Sequence, residues 1–198
     1  MKKICEVLKV GICVVCLFTI AGCQWAGTIF SASHKVASVL MDDRSLSDDY
    51  NDTKLNIAIR NALSQRKLSY AVDIELTVFE GSVLLNGALP DETYIDEVVK
   101  TVWQTDGVEK VYNYIRLDEP LSIEKVNEDA LVSAKIRYEL SITRGVSSVN
   151  YKITMENGVV YLMGISQNQT ELNNVVAVIK NTVNVDDIVI LTRFAQEN

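Results

Sequence analysis

The sequence is poor in histidine and cysteine, two residues on which many catalytic and metal sites depend. Its 198 residues contain one histidine, His34, and four cysteines, three of which lie within the first 22 residues. One histidine and the remaining Cys23 cannot build a Ser-His-Asp triad, a multi-histidine metal site or an internal disulfide. The sequence also lacks a glycine-rich nucleotide loop. We therefore expect no catalytic residue, no metal and no cofactor, and we predict that the chain is not an enzyme.

The chain also lacks an excess of positive charge. Its 19 Lys and Arg residues face 26 Asp and Glu residues, which gives a net charge of −7. This balance argues against nucleic acid as a partner, because proteins that bind nucleic acid neutralise phosphates. Two prolines and nine glycines exclude collagen-like and proline-rich architectures, whereas 48% hydrophobic and 23% charged residues are typical of globular domains.

The first 22 residues predict a secretory signal. Lys2 and Lys3 precede an uncharged apolar run at 10–20, which as a helix would cross only about half of the hydrocarbon core of a bilayer. The run ends in Ile20–Ala21–Gly22–Cys23, which resembles a bacterial lipobox and implies lipid attachment at Cys23. The alternative is a plain signal peptide with a coincidental cysteine. Since Gln24 stands where lipoproteins of this type carry an inner-membrane retention Asp, we expect outer-membrane delivery, facing the periplasm.

An internal repeat organises the rest of the chain. A shift of 77 residues aligns 52–117 with 129–194 without a gap and with 17 identical pairs. Two copies of one domain explain this agreement. In the first copy the identical residues are Asp52, Ile59, Arg60, Leu63, Ser64, Val72, Thr77, Gly81, Val83, Leu85, Gly87, Thr93, Val98, Val99, Thr105, Val108 and Arg116.

Both copies show the same succession of patterns. Asp52 and Asp129 precede apolar residues at helical spacing, so we predict them to be N-caps. Strict alternation from Val72 and from Val149 predicts strands, and Glu80–Gly81 and Asn157–Gly158 predict hairpin turns. A returning strand, a valine-rich helix and a last strand follow. The predicted fold class is α+β, with two tandem units of order α-β-β-α-β, each a three-stranded sheet covered on one face by two helices.

These patterns divide the chain into six predicted segments. They are a signal peptide at 1–22, the lipidated Cys23 with a flexible tether at 23–51, a first domain at 52–117, a linker at 118–128, a second domain at 129–194 and a tail at 195–198.

The repeated pattern resembles the BON domain. Its marks are V-x-I-x-L from Val72, G-x-V-x-L-x-G from Gly81 and G-V-x-x-V from Gly107. With the lipobox and the tether sequence Asp42–Asp43–Arg44–Ser45, the chain is similar to the family of division- and outer-membrane-stress-associated lipid-binding lipoproteins. This resemblance implies an outer-membrane lipoprotein whose second BON domain binds anionic phospholipid and supports envelope integrity.

One surface differs between the copies in a way that suits a membrane. Positions that carry Lys54, Ala58, Asn61 and Gln65 in the first copy carry an apolar stripe with one cation in the second. Their spacing places them on one face of a helix, and a loop with one cation and two hydroxyls follows. The predicted lipid-binding residues are Leu131, Lys135, Tyr138, Ile142, Arg144, Val146, Ser147 and Ser148. Members of the similar family carry Trp at the position of Leu131, so this chain lacks an indole anchor there.

Two alternatives to this interpretation remain open at the level of sequence. The stripe could pack against the first copy, because docking of two linked domains also requires an apolar face. The chain could also be an adaptor that binds other proteins of the envelope, for example outer-membrane assembly proteins, with lipid only as its anchor. Binding to anionic phospholipid vesicles would favour the lipid-binding function over the adaptor function.

Overall fold

The computed structural model of the chain describes residues 46–195. The signal peptide, Cys23, the tether before residue 46 and the tail after residue 195 lie outside the described residues. The first repeat contains α1 (Leu46–Arg66), α2 (Leu68–Asp73), β1 (Ile74–Phe79), β2 (Ser82–Leu89), α3 (Glu92–Trp103) and β3 (Lys110–Leu117). The second contains α4 (Ile123–Ile142), a 3₁₀ turn (Ser148–Asn150), β4 (Tyr151–Glu156), β5 (Val159–Ser166), α5 (Gln169–Lys180) and β6 (Asp187–Phe194).

Each repeat forms one three-stranded sheet with the same topology. The strand orders are β1-β2-β3 and β4-β5-β6, so the second strand of each repeat is central. The first two strands pair antiparallel through the hairpin, and the last strand pairs parallel with the central one after a helical crossover. The registers agree between repeats, since Leu76 lies opposite Leu85 and Ile153 opposite Leu162. This arrangement confirms the predicted α+β class.

The inner face of each sheet packs against the two long helices of its repeat. The core of the first repeat joins Ile59 and Leu63 of α1 with Val98 and Val102 of α3 over strand residues such as Leu85. The core of the second joins α4 and α5 over its own sheet through Ile136, Leu140, Leu162, Val175 and Ile179. Most of the apolar positions predicted at helical spacing in these four helices are therefore core positions.

The hairpin turns have the predicted glycine geometry. Gly81 and Gly158 have φ values of 69° and 81°, and the residues before them, Glu80 and Asn157, also have positive φ values of 45° and 50°. Two consecutive positive φ values define the type I′ turn, which suits the twist of a two-residue hairpin. Glycine is the residue that adopts this conformation without strain.

The prediction that Asp52 and Asp129 are N-caps is wrong. Both carboxylates are buried within helices and accept hydrogen bonds from the hairpin turn of their own repeat. The N–H groups of Glu80 and Gly81 donate to Asp52 at 3.0 and 3.3 Å, and the N–H group of Asn157 donates to Asp129 at 2.6 Å. Each aspartate therefore fastens the first helix to the hairpin tip, and its partners lie 28 or 29 residues further along the chain.

Several helices and strands begin at different residues from those predicted. Helix α1 begins at Leu46, inside the predicted tether, and α4 begins at Ile123, inside the predicted linker. The N-cap of α4 is Ser122, whose side chain accepts a hydrogen bond from the Lys125 N–H group. Val72 and Val149 precede their strands, because α2 and the 3₁₀ turn extend to the residue before Ile74 and Tyr151.

The two sheets pack against each other through the faces that the helices leave uncovered. A third apolar cluster joins Phe79 and Leu84 of the first repeat with Tyr161, Met163 and Ile165 of the second. The rings of Tyr114 and Tyr161 meet edge to face with their centroids 5.0 Å apart. The central strands are thus buried on both faces, and the domain contact is made by sheets.

Polar contacts across this interface have an approximate two-fold relation. The hydroxyls of Thr77 and Thr154, which are equivalent in the repeat, lie 2.9 Å apart. The equivalent arginines also bind opposite repeats. Arg193 donates twice to the Glu80 carboxylate at 2.9 Å, and Arg116 donates to the Glu156 carboxylate at 3.2 Å. Glu156 also accepts from the Gly87 N–H group at 2.7 Å.

Candidate membrane-contact surface

The predicted stripe lies on the outer face of α4. Val132, Ile136 and Leu140 point into the core of the second repeat, which turns the stripe on the same helix toward solvent. The side chains of Leu131, Tyr138 and Ile142 are 73%, 65% and 65% exposed. Three large apolar side chains on one exposed helical face form an unusual surface for a single domain, since isolated exposed apolar residues are common but aligned ones are not.

The alternative that this stripe packs against the first domain is wrong. The domains meet through the outer faces of their sheets, and the three stripe side chains remain exposed with both domains present. The sheet contact also satisfies the need of two linked domains for an apolar docking face. The stripe therefore has no covering partner among residues 46–195.

Two cations border the stripe. Lys135 lies on α4 beside the apolar side chains and forms an ion pair with Glu139 at 3.8 Å. Arg144 follows the helix and is exposed, without an ion pair in the part of the chain that the structure describes. A helix face with apolar side chains at its centre and cations at its border is the arrangement that interfacial helices use on anionic membranes.

The loop after α4 is only partly available for contact. Val146 packs against the core of the second repeat, so its side chain belongs to the fold as much as to the surface. Ser147 is exposed, whereas Ser148 begins the 3₁₀ turn and is half-buried. Gly145, with a φ of 75°, reverses the chain between the helix and this loop. Of the predicted loop residues, Arg144 and Ser147 are the two that the fold leaves open to solvent.

A buried carboxylate holds this loop in place. Glu171, at the start of α5, is 3% exposed and accepts hydrogen bonds from the N–H groups of Ser147 and Gln167, each at 2.7 Å. The equivalent residue of the first repeat is Tyr94, which instead lies against Tyr70 with Lys67 over its ring. This buried carboxylate is therefore a feature of the second repeat that the first repeat lacks. It fixes the backbone at Ser147, three residues after Arg144.

Sequence reasoning missed Glu171, although a local signal for it exists. Asn168 is the N-cap of α5, and Glu171 stands three residues later, as in a capping box. The first repeat has Asp91 at the corresponding N-cap but no carboxylate three residues later. The structure also exposes Val149 and Ile123, at the loop and at the beginning of α4, which the sequence analysis did not include in the surface.

The corresponding face of the first repeat is different in character. Lys54, Ala58, Asn61 and Gln65 are exposed on α1, as predicted from their spacing, and they include no large apolar side chain. Within residues 46–195, no helix combines the length and the apolar character that crossing a membrane requires. The same residues contain no cluster of three or more side chains suited to hold a metal ion.

Comparison with known proteins agrees with the repeat and with the fold. Residues 51–119 and 128–194 each match the BON domain. The chain is 32% identical over 144 residues to an uncharacterized protein in the gshII 5' region of Anaplasma centrale, which covers 72% of this chain and 94% of the relative.

Two further relatives carry names that bear on function. The chain is 24% identical over 135 residues to the outer membrane lipoprotein DolP of Haemophilus influenzae, covering 67% of this chain and 70% of the relative. It is 26% identical over 125 residues to a 21 kDa hemolysin of Actinobacillus pleuropneumoniae, covering 63% of this chain and 64% of the relative. With both repeats matched and the fold in agreement, this chain belongs to the BON domain family and carries two copies of the domain in tandem.

Proposed function

We propose that this protein is an outer-membrane lipoprotein that faces the periplasm and binds anionic phospholipid through α4 of its second BON domain, thereby supporting envelope integrity. Its role is binding rather than catalysis. The observation that carries the proposal is the exposure of Leu131, Tyr138 and Ile142 on one face of α4, while the domains pack together elsewhere.

The anchor is proposed from the lipobox and from the similarity to an outer membrane lipoprotein. Cys23 would carry the lipid and hold the two domains near the membrane through the segment that follows it. A tethered domain meets the same bilayer at a high effective concentration, so even a weak second contact is occupied. The stripe on α4 therefore needs only modest intrinsic affinity, which suits a surface with Leu131 in place of an indole.

The contact would use three kinds of interaction. The apolar side chains of the stripe would enter the boundary between headgroups and acyl chains, where part of their exposed area leaves water. Lys135 and Arg144 would approach lipid phosphates, each cation near an anionic surface contributing about 1 kcal/mol. The hydrogen bond from the Ser147 N–H group to Glu171 would keep Arg144 and Ser147 at the edge of the stripe.

The test is vesicle binding by a fragment that lacks the anchor, because the described domains lie within one compact unit, Asp43–Asn198. The double change Leu131→Glu with Ile142→Glu should lower affinity for phosphatidylglycerol vesicles at least about tenfold, or about 1.4 kcal/mol. Both positions are exposed, so the fragment should unfold at the same denaturant concentration as the unaltered one.

A matched control makes the same chemical change on the first domain. Ile57→Glu with Leu68→Glu also replaces two exposed apolar side chains by carboxylates and should reduce vesicle binding far less. Equal losses of vesicle binding in both variants would mean that the added negative charge, and not the loss of the stripe, weakens binding. Undiminished binding by the α4 variant would refute the assignment, and a fragment that binds no vesicle but captures outer-membrane assembly proteins would support the adaptor function instead.

A further inference from the structure

A cleft between the two domains has the chemistry of a binding site separate from the α4 surface. It measures about 640 Å³ and lies beside β1 and β4, with walls from both repeats and from the segment that connects them. This volume lies within the usual range for small-molecule sites, which are concave and largely apolar with a few polar groups. The stripe residues Leu131, Tyr138 and Ile142 do not line it.

Two arginines line the cleft, and the backbone holds both in position. Arg60 and Arg137 are equivalent in the repeat. Arg60 donates to the Asn56 side chain at 3.1 Å and to the Ala71 carbonyl at 3.3 Å, and Arg137 donates to the Ile153 carbonyl at 2.7 Å. A guanidinium has five N–H donors, so each arginine keeps donors for a ligand while its orientation is fixed.

Glu75 supplies an acceptor opposite these donors. It lies on β1 two residues before Thr77 and thus on the face that meets the second domain. It has no hydrogen bond or ion pair within residues 46–195. Partial removal of the Glu75 carboxyl from water by the surrounding protein raises its pKa, the charge of nearby Glu156 raises the pKa further, and Arg60 and Arg137 oppose the shift. The carboxyl therefore lines the same cleft as both arginines without being paired to either.

The other carboxylates along the cleft are held by hydrogen bonds or ion pairs, except for one. Glu156 is bound by Arg116 and by the Gly87 N–H group, and Asp129 is bound by Lys125 at 3.2 Å. Asp73 is the remaining carboxylate, so two cations share the cleft with two anions that have no hydrogen bond or ion pair from their side chains among the described residues. A balanced cleft favours a ligand that carries both signs of charge over one with a net charge.

Apolar side chains form the rest of the wall and the rim of the cleft. Val72, Ile123 and Val126 line it and are 73%, 76% and 51% exposed, although none belongs to the stripe on α4. Ile153 and Met155 line its inner part and are buried. Apolar side chains that meet solvent beside a charged cleft fit a ligand with a polar head and an apolar chain.

We propose that this cleft binds the head and upper chain of a zwitterionic phospholipid, with the phosphate at Arg60 and Arg137, the primary ammonium at Glu75, and an acyl chain along Val72, Ile123 and Val126. Guanidinium donors suit phosphate oxygens, and a carboxylate accepts hydrogen bonds from an ammonium. The site is distinct from the anionic-lipid surface of α4, and it requires both domains because each contributes one arginine.

The test uses the full chain in nanodiscs of phosphatidylglycerol, which has no ammonium group. The probe is a short-chain phosphatidylethanolamine with a photoreactive diazirine in one acyl chain, and mass spectrometry locates its adducts. We expect adducts at residues 72–74 and 120–126 that excess unlabelled short-chain phosphatidylethanolamine removes and short-chain phosphatidylglycerol does not. Because a charge-assisted contact is lost, Glu75→Gln should lower their yield at least about fivefold.

Two controls separate this site from other causes. Glu92→Gln removes an exposed carboxylate on α3, away from the cleft, and should leave the adducts unchanged. Leu131→Glu with Ile142→Glu disables the proposed membrane surface and should also leave the adducts at the cleft unchanged. The two proposals can therefore fail independently. Adducts confined to 131–142, equal yield in the Glu75→Gln variant, or equal competition by phosphatidylglycerol would overturn the cleft assignment.

Discussion

A disulfide between the two sheets would test whether the domains dock as the structure shows. Thr77 and Thr154 face each other across the interface with their hydroxyl oxygens 2.9 Å apart. In the variant Thr77→Cys with Thr154→Cys, the sulfur atoms take the same γ positions and must approach by only about 1 Å to reach the disulfide length of about 2.05 Å. We therefore expect the pair to oxidise within one molecule without prior separation of the domains.

The size of the effect follows from the length of the loop that the bond closes. The two residues lie 77 positions apart, and closing a loop of that length removes unfolded-chain entropy worth about 4.5 kcal/mol at 25 °C, with measured stabilisation often nearer 2–4 kcal/mol. For a fragment of this size, such a gain raises the midpoint of thermal unfolding by about 6–15 °C. Cys23 is the last natural cysteine, so the fragment 43–198 contains no competing thiol.

The assay compares oxidised and reduced fragments by thermal unfolding and by thiol titration. A control pair, Ile57→Cys with Leu131→Cys, places cysteines on exposed outer faces of α1 and α4, where the sheet interface gives them no contact. That pair should retain two titratable thiols under the same conditions. Two free thiols in the Thr77/Thr154 variant, or only cross-linked dimers, would refute the sheet-to-sheet docking and with it the cleft between the domains.

Three further predictions concern single side chains. Asp129→Ala should lower the free energy of unfolding by about 1–3 kcal/mol, because it removes the buried carboxylate that accepts from the Asn157 N–H group, and Asp129→Asn should cost less. Urea unfolding at the wild-type midpoint in both variants would contradict this role. Glu171→Gln should speed amide hydrogen exchange at 144–148 while exchange in β5 is unchanged. Equal exchange rates at 144–148 in the variant and the wild type would mean that Glu171 does not order the loop. The pKa of Glu75 is raised in the folded state above its usual value near 4.5, so the native protein binds the carboxyl proton more tightly than the unfolded chain does. The stabilisation that comes from this proton is present at low pH and is lost as pH rises through the raised pKa. Glu75→Gln should therefore increase stability at neutral pH and flatten its decline above pH ~4.5, as measured by urea unfolding across that range; a variant less stable than the wild type at neutral pH would show that Glu75 stabilises the interface.

The repeat, the order of the long helices and the strands, the hairpin turns and most of the core could be predicted from the sequence, because these features depend on neighbouring residues. Strand alternation placed Leu76 and Ile153 on the inner faces, and helical spacing placed Ile59 and Ile136 there. Gly81 and Gly158 marked the two turns, since a type I′ turn requires positive φ within two residues. The spacing of Leu131, Tyr138 and Ile142 likewise indicated that they share a face.

The errors and omissions involve partners that are distant in sequence. A carboxylate before a helical pattern has the local signature of an N-cap, but Asp52 and Asp129 bind a turn 28 or 29 residues away, which only the packed fold brings near. One omission is local: helix α4 begins at Ile123 because Ser122 caps it, within the segment predicted to be a linker. The buried role of Glu171 depends on a loop 24 residues before it.

The tertiary structure also decided which surfaces remain open. The apolar run in β5 is consistent with burial on both faces, but its sequence is the same whether a helix or a second sheet covers the outer face. The structure covers it with the other sheet, through Tyr161, Met163 and Ile165, and this docking leaves the α4 stripe exposed while it creates the cleft between Arg60, Arg137 and Glu75. Periodicity along one chain assigns residues to a face, whereas what covers that face depends on how distant segments pack, and local spacing carries no information about that packing.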